Sequence, residues 1–197
     1  MSLLAELRKR APAVEVDADD DVDLSSVNIM ACGSGHYGRL AQNFGNTSDL
    51  HSFTMCNINA AVHPNVRFEL IACGAGHILA ISKARQVYSW GKCHFGQLGH
   101  GQRELDRYLP RKIAEISDMS FVDISAQDSA SFAVNTSGEL FSWGCGYFGA
   151  LANGSEESVY KPTKVAIPGD VKITRTYSGK FHGFAVGGKS RLLLSQS

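Results

Sequence analysis

From Phe68 onward the chain alternates short apolar runs with clusters of turn-forming residues, and the same order of runs appears twice. Phe68-Glu69-Leu70-Ile71-Ala72-Cys73-Gly74 is followed by Ile78-Leu79-Ala80-Ile81-Ser82, then by a turn over Lys83–Gln86 and by Val87-Tyr88-Ser89-Trp90-Gly91. The second pass runs through Phe121-Val122-Asp123-Ile124-Ser125-Ala126, Ser131-Phe132-Ala133-Val134-Asn135, a turn at Thr136-Ser137-Gly138-Glu139, and Leu140-Phe141-Ser142-Trp143-Gly144. Runs this short, rich in β-branched and aromatic residues and bounded by turn formers, predict strands rather than helices. Each pass closes with a proline-bearing stretch, Tyr108-Leu109-Pro110-Arg111-Lys112-Ile113 and Tyr160-Lys161-Pro162-Thr163-Lys164-Val165. Proline cannot donate to a β-ladder, so these stretches predict an outer, edge-like strand with the proline marking its start.

The loop after each Trp-Gly pair is itself repeated. Trp90-Gly91-Lys92-Cys93-His94-Phe95-Gly96-Gln97-Leu98-Gly99 matches Trp143-Gly144-Cys145-Gly146-Tyr147-Phe148-Gly149-Ala150-Leu151-Ala152. An upstream copy reads Cys32-Gly33-Ser34-Gly35-His36-Tyr37-Gly38-Arg39-Leu40-Ala41. The first glycines, Gly33, Gly91 and Gly144, are 58 and 53 residues apart. Four antiparallel strands per unit of that period are the pattern of a β-propeller blade. The ends are partial. The first unit starts at its third strand, Val27–Cys32, with Asp49–Asn57 as its fourth; the last has Val171–Ser178 and Phe184–Val186. The expectation is therefore an all-β chain: an N-terminal arm and acidic linker over 1–26, then a partial propeller over 27–197 with three to four blades. Exposed sheet edges are prone to associate, so the arc either stays open or forms a ring completed by a partner, a second copy or another repeat protein.

The residues Ala72-Cys73-Gly74-Ala75-Gly76-His77, Val87-Tyr88-Ser89-Trp90-Gly91 and Phe95-Gly96-Gln97-Leu98-Gly99-His100-Gly101 strongly resemble the repeat of the regulator of chromosome condensation family. The resemblance spans about residues 27–194 and implies a propeller, seven-bladed in the family, of which this chain carries about three and a quarter blades. It departs from the family at Ala130, where His77 and His182 keep a histidine, at Arg85, where a turn glycine is expected, and at Leu193-Leu194 in the last Trp-Gly position. For the founding member it implies guanine-nucleotide exchange on a small GTPase of the Ran type.

Composition narrows the function. With 19 basic and 19 acidic side chains in 197 residues and an apolar share of 44%, no dominant field favours nucleic acid or an anionic membrane. Five cysteines without a Cys-x-x-Cys pair give neither a zinc signature nor a disulfide framework and read as reduced, half-buried thiols. No leader or spanning segment is legible, and an intracellular, cytoplasmic protein is expected, with the nucleus the other compartment open to it. In the arm, Leu3, Leu4 and Leu7 would share a face of a short helix, and Asp17, Asp19, Asp20, Asp21 and Asp23 form a self-repelling linker or a dock for a basic partner.

Candidate chemistry is sparse. Gly33-Ser34-Gly35-His36-Tyr37-Gly38 and Gly144-Cys145-Gly146-Tyr147-Phe148-Gly149 both match Gly-x-Gly-x-x-Gly. That fingerprint cradles a dinucleotide only between a strand and a helix, and neither copy precedes helical spacing. The seven histidines follow the repeat or are scattered, so no metal, no cofactor and no catalytic residue is assigned; His77 and His182 are expected to hydrogen-bond backbone at strand ends. The repeated Gly33, Gly38, Leu40, Trp90, Gly91, Gly96, Leu98, Trp143, Gly144, Gly149 and Leu151 are expected to be structural, with each Trp wedged between blades and each Leu tethering its loop to the core. Burying a Trp fully contributes about 4–6 kcal/mol as an upper bound. The chain reads as a non-catalytic protein–protein interaction or scaffold module, with exchange activity on a Ran-like GTPase as the alternative. Repeat folds bind through the loops that vary over a constant core. The candidate contacts are His36, Tyr37, His94, Phe95, Tyr147 and Phe148, joined by Arg103 and Glu156 from the 102–107 and 154–160 loops, which would take over were the rings buried.

Overall fold

The computed structural model describes residues 29–42, 45–56, 58, 66–101, 106–169 and 171–189. Residues 1–28, Asn57, Arg103 and Leu193-Leu194 lie outside the described residues, and with them the arm, Val27 and the last quarter-blade. Among the described residues twelve strands make four antiparallel sheets, as expected of blades in series. A half-sheet pairs β1 (Met30–Gly33) with β2 (Leu50–Met55). The next sheet runs β3 (Phe68–Cys73), β4 (His77–Ser82), β5 (Val87–Gly91), β6 (Arg107–Lys112), and the third repeats it as β7 (Phe121–Ala126), β8 (Ala130–Asn135), β9 (Leu140–Gly144), β10 (Val159–Lys164). A second half-sheet pairs β11 (Val171–Ser178) with β12 (Gly183–Lys189). The first half-sheet thus holds the third- and fourth-strand places of a blade, and the last holds the first- and second-strand places.

Both prolines sit further into their strands than expected. Pro110 and Pro162 are the fourth of six residues in β6 and β10. Pairing jumps from Gly91 opposite Arg107 to Ser89 opposite Arg111, and from Gly144 opposite Val159 to Ser142 opposite Thr163. Four residues therefore face two, and the proline occupies a bulge where the ladder asks for no donor. Arg85 takes the left-handed turn conformation (φ 61°) that Gly138 adopts at the same place (φ 81°), which explains how the turn survives without its glycine.

The central strands β4, β5, β8 and β9 are buried at every residue, because each lies between two neighbouring sheets. Alternate side chains serve opposite seams. Ile78 and Ala80 join Trp90, Tyr88 and Ala41 in the seam toward the first half-sheet. Leu79 and Ile81 pack with Phe121, Ile124, Phe141 and Trp143 in the seam toward the third sheet. Phe132, Val134 and Leu151 meet Ile173 in the seam toward the last half-sheet. That seam also contains a carboxylate. Asp123, 7% exposed, accepts from the Thr176 N–H at 2.6 Å and hydroxyl at 3.1 Å and from Arg175 at 3.2 Å, so the half-sheet is fastened by directed bonds as well as by contact area.

Candidate functional site

Each repeat loop divides between seam and solvent. On the seam side, Leu98 and Leu151 are fully buried and Leu40 nearly so, and the serine of each Ser-Trp-Gly donates to the leucine carbonyl of its own loop, Ser89 to Leu98 and Ser142 to Leu151, both at 2.7 Å. The tryptophan instead reaches the preceding loop: Trp90 Nε1 donates to the Arg39 carbonyl at 3.0 Å and Trp143 Nε1 to the Gln97 carbonyl at 2.9 Å. The glycine after each Trp is required by crowding. Gly91 and Gly144 both have φ 102°, and a Cβ there would sit 2.5 Å from the carbonyl oxygen of Gly76 or Ser129.

A buried polar chain crosses the central seam. Ser131 Oγ donates to the Gln97 carbonyl at 2.7 Å, so at 2.8 Å it must accept from His77 Nε2. His77 therefore carries a proton on Nε2. The ring bonds a side chain of the next sheet rather than the backbone expected for it, while the strand-end backbone bond comes from its carbonyl, which accepts from the Gly74 N–H. Complete burial holds the imidazole down to a pKa of about 3, and Nδ1 is a buried atom without a partner. The His182 ring is exposed, and its carbonyl accepts from the Gly179 N–H at 2.8 Å. No group of three His, Cys, Asp or Glu that could hold a metal occurs among the described residues. None of the cysteines forms a disulfide; Cys93 is buried, Cys56 and Cys145 half-buried, and Cys32 and Cys73 exposed rather than half-buried.

On the solvent side the aromatic rings form a discontinuous rim. The second ring of each loop packs edge-on against a ring of the next unit. Tyr37 meets His94 at 5.6 Å and 79°, Phe95 meets Tyr147 at 5.9 Å and 67°, and Phe148 meets Phe181 at 5.4 Å and 69°. These are the offset geometries that ring quadrupoles favour. Their exposure differs: Tyr147 is 56%, Phe148 72% and Phe181 53% exposed, whereas Tyr37 and Phe95 are half-buried. His36 stands beside Tyr37 at 6.1 Å. Tyr37 and Phe148 occupy left-handed backbone (φ 63° and 60°), which is uncommon for bulky side chains and costs of the order of 1 kcal/mol each. Glu156 is exposed in the loop before β10.

Several rim residues went unread in the sequence. Lys92 Nζ and Arg39 Cζ lie 5.1 and 5.6 Å from the Tyr37 ring centre, and Lys180 Nζ lies 4.9 Å from that of Phe181. Asp49 and Asp106 hold their loops, accepting from the Gly35 and Cys93 N–H groups at 2.9 Å. The Gly35 bond keeps the Asp49 carboxyl below its ordinary range. Both aspartates follow the motif at similar distances, a regularity that aligning the repeats through the fourth strand exposes. The lysines and arginine carry no such signal, because only folding brings adjacent units together.

Comparison with known proteins agrees with this architecture. Residues 86–134 and 137–186 each match the Regulator of chromosome condensation (RCC1) repeat. The chain is 35% identical over 162 residues to the ultraviolet-B receptor UVR8 of Arabidopsis thaliana, covering 82% of this chain and 35% of that protein. It is 34% identical over 138 residues to the human E3 ubiquitin-protein ligase HERC2, covering 70% of this chain and 3% of the ligase. The chain therefore spans about a third of the first relative and a small fraction of the second. Among solved structures, Prp20p of Saccharomyces cerevisiae, described with its binding properties to Gsp1p and histones, superposes with a TM-score of 0.73 at 22% identity, over 84% of this chain and 40% of Prp20p. With half of its residues inside two matched repeats and the seams, pins and loops of a propeller blade in each, the chain belongs to the RCC1 repeat family.

Proposed function

We propose that the chain is a non-catalytic protein-interaction module that docks a partner across the aromatic rim, with His36, Tyr37, His94, Phe95, Tyr147 and Phe148 as the contact residues, joined by Arg103 and Glu156 from the neighbouring loops of the sequence. The observation that carries this reading is the combination of exposure and order in the rim. Phe148 is 72% exposed yet fixed by Phe181 and by its backbone. Rings that are rigid before binding lose little entropy on contact, and aromatic anchors with arginine dominate the energetics of protein interfaces. Lys92, Arg39 and Lys180 beside the rings suit a partner surface that presents carboxylates between apolar side chains. The test is quantitative affinity capture with the wild-type chain and a Tyr147→Ala/Phe148→Ala variant that still unfolds in one cooperative transition well above the assay temperature. The reading requires partners that are lost with the rim. Capture indifferent to both changes would sink it.

Guanine-nucleotide exchange on a Ran-like GTPase is the second reading, favoured by the superposition on Prp20p, a protein described with its binding to Gsp1p. Nucleotide release from a panel of Ran-like GTPases separates the two. A rim variant that loses partners without any wild-type stimulation of release leaves the interaction module alone standing.

A further inference from the structure

The two complete sheets share a register, so their ends compare residue by residue. At the end away from the aromatic rim, the Lys83 N–H donates to the Arg67 carbonyl as the Thr136 N–H donates to that of Ser120. Arg85 and Gly138 hold the same left-handed turn position. Lys112 lies opposite Tyr88 as Lys164 lies opposite Phe141. Arg67, Lys83, Arg85 and Lys112 of the second sheet thus correspond to Ser120, Thr136, Gly138 and Lys164 of the third, four basic side chains against one. The blade does not require this charge, since the third sheet closes without it. Lys83, Arg85 and Lys112 are exposed and Arg67 is half-buried. Arg85 faces Glu69 at 3.7 Å, a loose and exposed pair, and Lys164 is neutralised by Glu139. No carboxylate among the described residues pairs with Arg67, Lys83 or Lys112.

The chain enters the propeller beside this patch. Ile29 packs in the same cluster as Val66 and Phe68, the residues on either side of Arg67, and its carbonyl accepts from the Cys56 N–H at 2.7 Å. Upstream of Ile29 the sequence carries Glu15, Asp17, Asp19, Asp20, Asp21 and Asp23. Asp23 precedes Ile29 by six residues and Asp17 by twelve, lengths that extend to about 20 and about 40 Å. The end of a four-stranded sheet measures about 14 Å from first strand to fourth. From its attachment at Ile29 the acidic run therefore reaches all four cations. Six carboxylates within nine residues repel one another, and facing cations relieves that repulsion. The tether holds them near the patch at an effective concentration of about millimolar.

We propose that residues 15–23 dock on Arg67, Lys83, Arg85 and Lys112 as an intramolecular acidic strap. The strap neutralises the basic end of the second sheet and withholds it from other anionic segments, which bind there only by displacing it. The acidic run and the basic patch, each unexplained by the blade, thereby account for one another. This contact lies at the opposite end of the strands from Lys92 and the aromatic rim, and it holds whether or not the rim binds a partner.

The test is zero-length carbodiimide coupling of the full chain, which joins carboxylates to the lysines they touch, read by mass spectrometry. Links from Asp17–Asp23 are expected to concentrate on Lys83 and Lys112 over Lys92, Lys161 and Lys180. They should fall at least about threefold in about 0.5 M sodium chloride, which screens exposed pairs. Arg67→Gln/Arg85→Gln leaves both lysines in place and should lower the same links at least about threefold. If that variant fails to fold, the distribution of links in the wild type and its salt dependence decide alone. Links spread evenly over the lysines, concentrated on Lys92 or Lys180, or insensitive to salt overturn the proposal. So do links that a folded arginine variant leaves unchanged. Links between isotopically light and heavy chains in a mixed sample would assign the patch to a second copy, which also overturns it.

Discussion

Phe148 and Leu151 stand three residues apart in one loop, and one is 72% exposed while the other is wholly buried. Both are large and apolar, so hydropathy does not separate them. What separates them is the seam. Leu151 follows the turn that folds back under the sheet, whereas Phe148 rides on top of that turn in left-handed backbone. A weaker form of the division recurs, with Phe95 and Tyr37 half-buried against buried Leu98 and Leu40. A repeat motif is therefore two structures in one. Its second half assembles the propeller, and its first half presents a surface that folding alone does not require.

The largest expected effect tests the seam half. Trp143→Ala removes a fully buried indole and its bond to the Gln97 carbonyl, and should cost about 3–5 kcal/mol in urea unfolding. A cost under about 1 kcal/mol would mean that the sheets do not depend on the interlock.

The second effect comes from His77 in the same seam. Its folded pKa is near 3 against an ordinary 6.5, so the unfolded chain binds a proton that the folded chain refuses. The stability owed to this group is present above pH 6.5 and falls as the pH drops toward 3. Between pH 7.5 and 5 the loss is about 2 kcal/mol. Urea titrations at the two pH values, compared between the wild type and His77→Gln, isolate it, because the variant should lose that portion of the acid sensitivity. An identical slope in both would show that the imidazole is protonated without opening the seam.

Strands and their order were legible because apolar alternation and turn residues are local, and because two nearly complete units calibrate each other. The partial ends were legible for the same reason: Val171–Ser178 and Phe184–Val186 align with β7 and β8. The register was not, since the bulges that place Pro110 and Pro162 inside their strands depend on the pairing of Gly91 and Gly144. Nor was the partner of His77 legible. Its position suggested a strand-end backbone bond, but Ser131 lies 54 residues away and meets it only when the sheets stack. The rings of the candidate site were visible as a repeated pair. Their contacts were not, because each ring packs on a neighbouring unit, and the cations beside them follow no period.

The smallest expected stability effect is at the rim, and it is the sharpest test of the division within the loop. Phe148→Gly removes the edge contact with Phe181, worth about 0.5–1.5 kcal/mol. It also places glycine where φ is 60°, relieving a strain of about 1 kcal/mol. The two contributions oppose each other, so the net change in unfolding free energy should stay within about 1 kcal/mol. Phe148→Ala keeps the strain and loses the contact, and should be the less stable of the pair. Binding should respond differently, because both variants lack the ring and should lose rim-dependent partners alike. If Phe148→Gly instead destabilised the chain as much as Trp143→Ala, the ring would belong to the propeller's core and the rim would not be a surface at all.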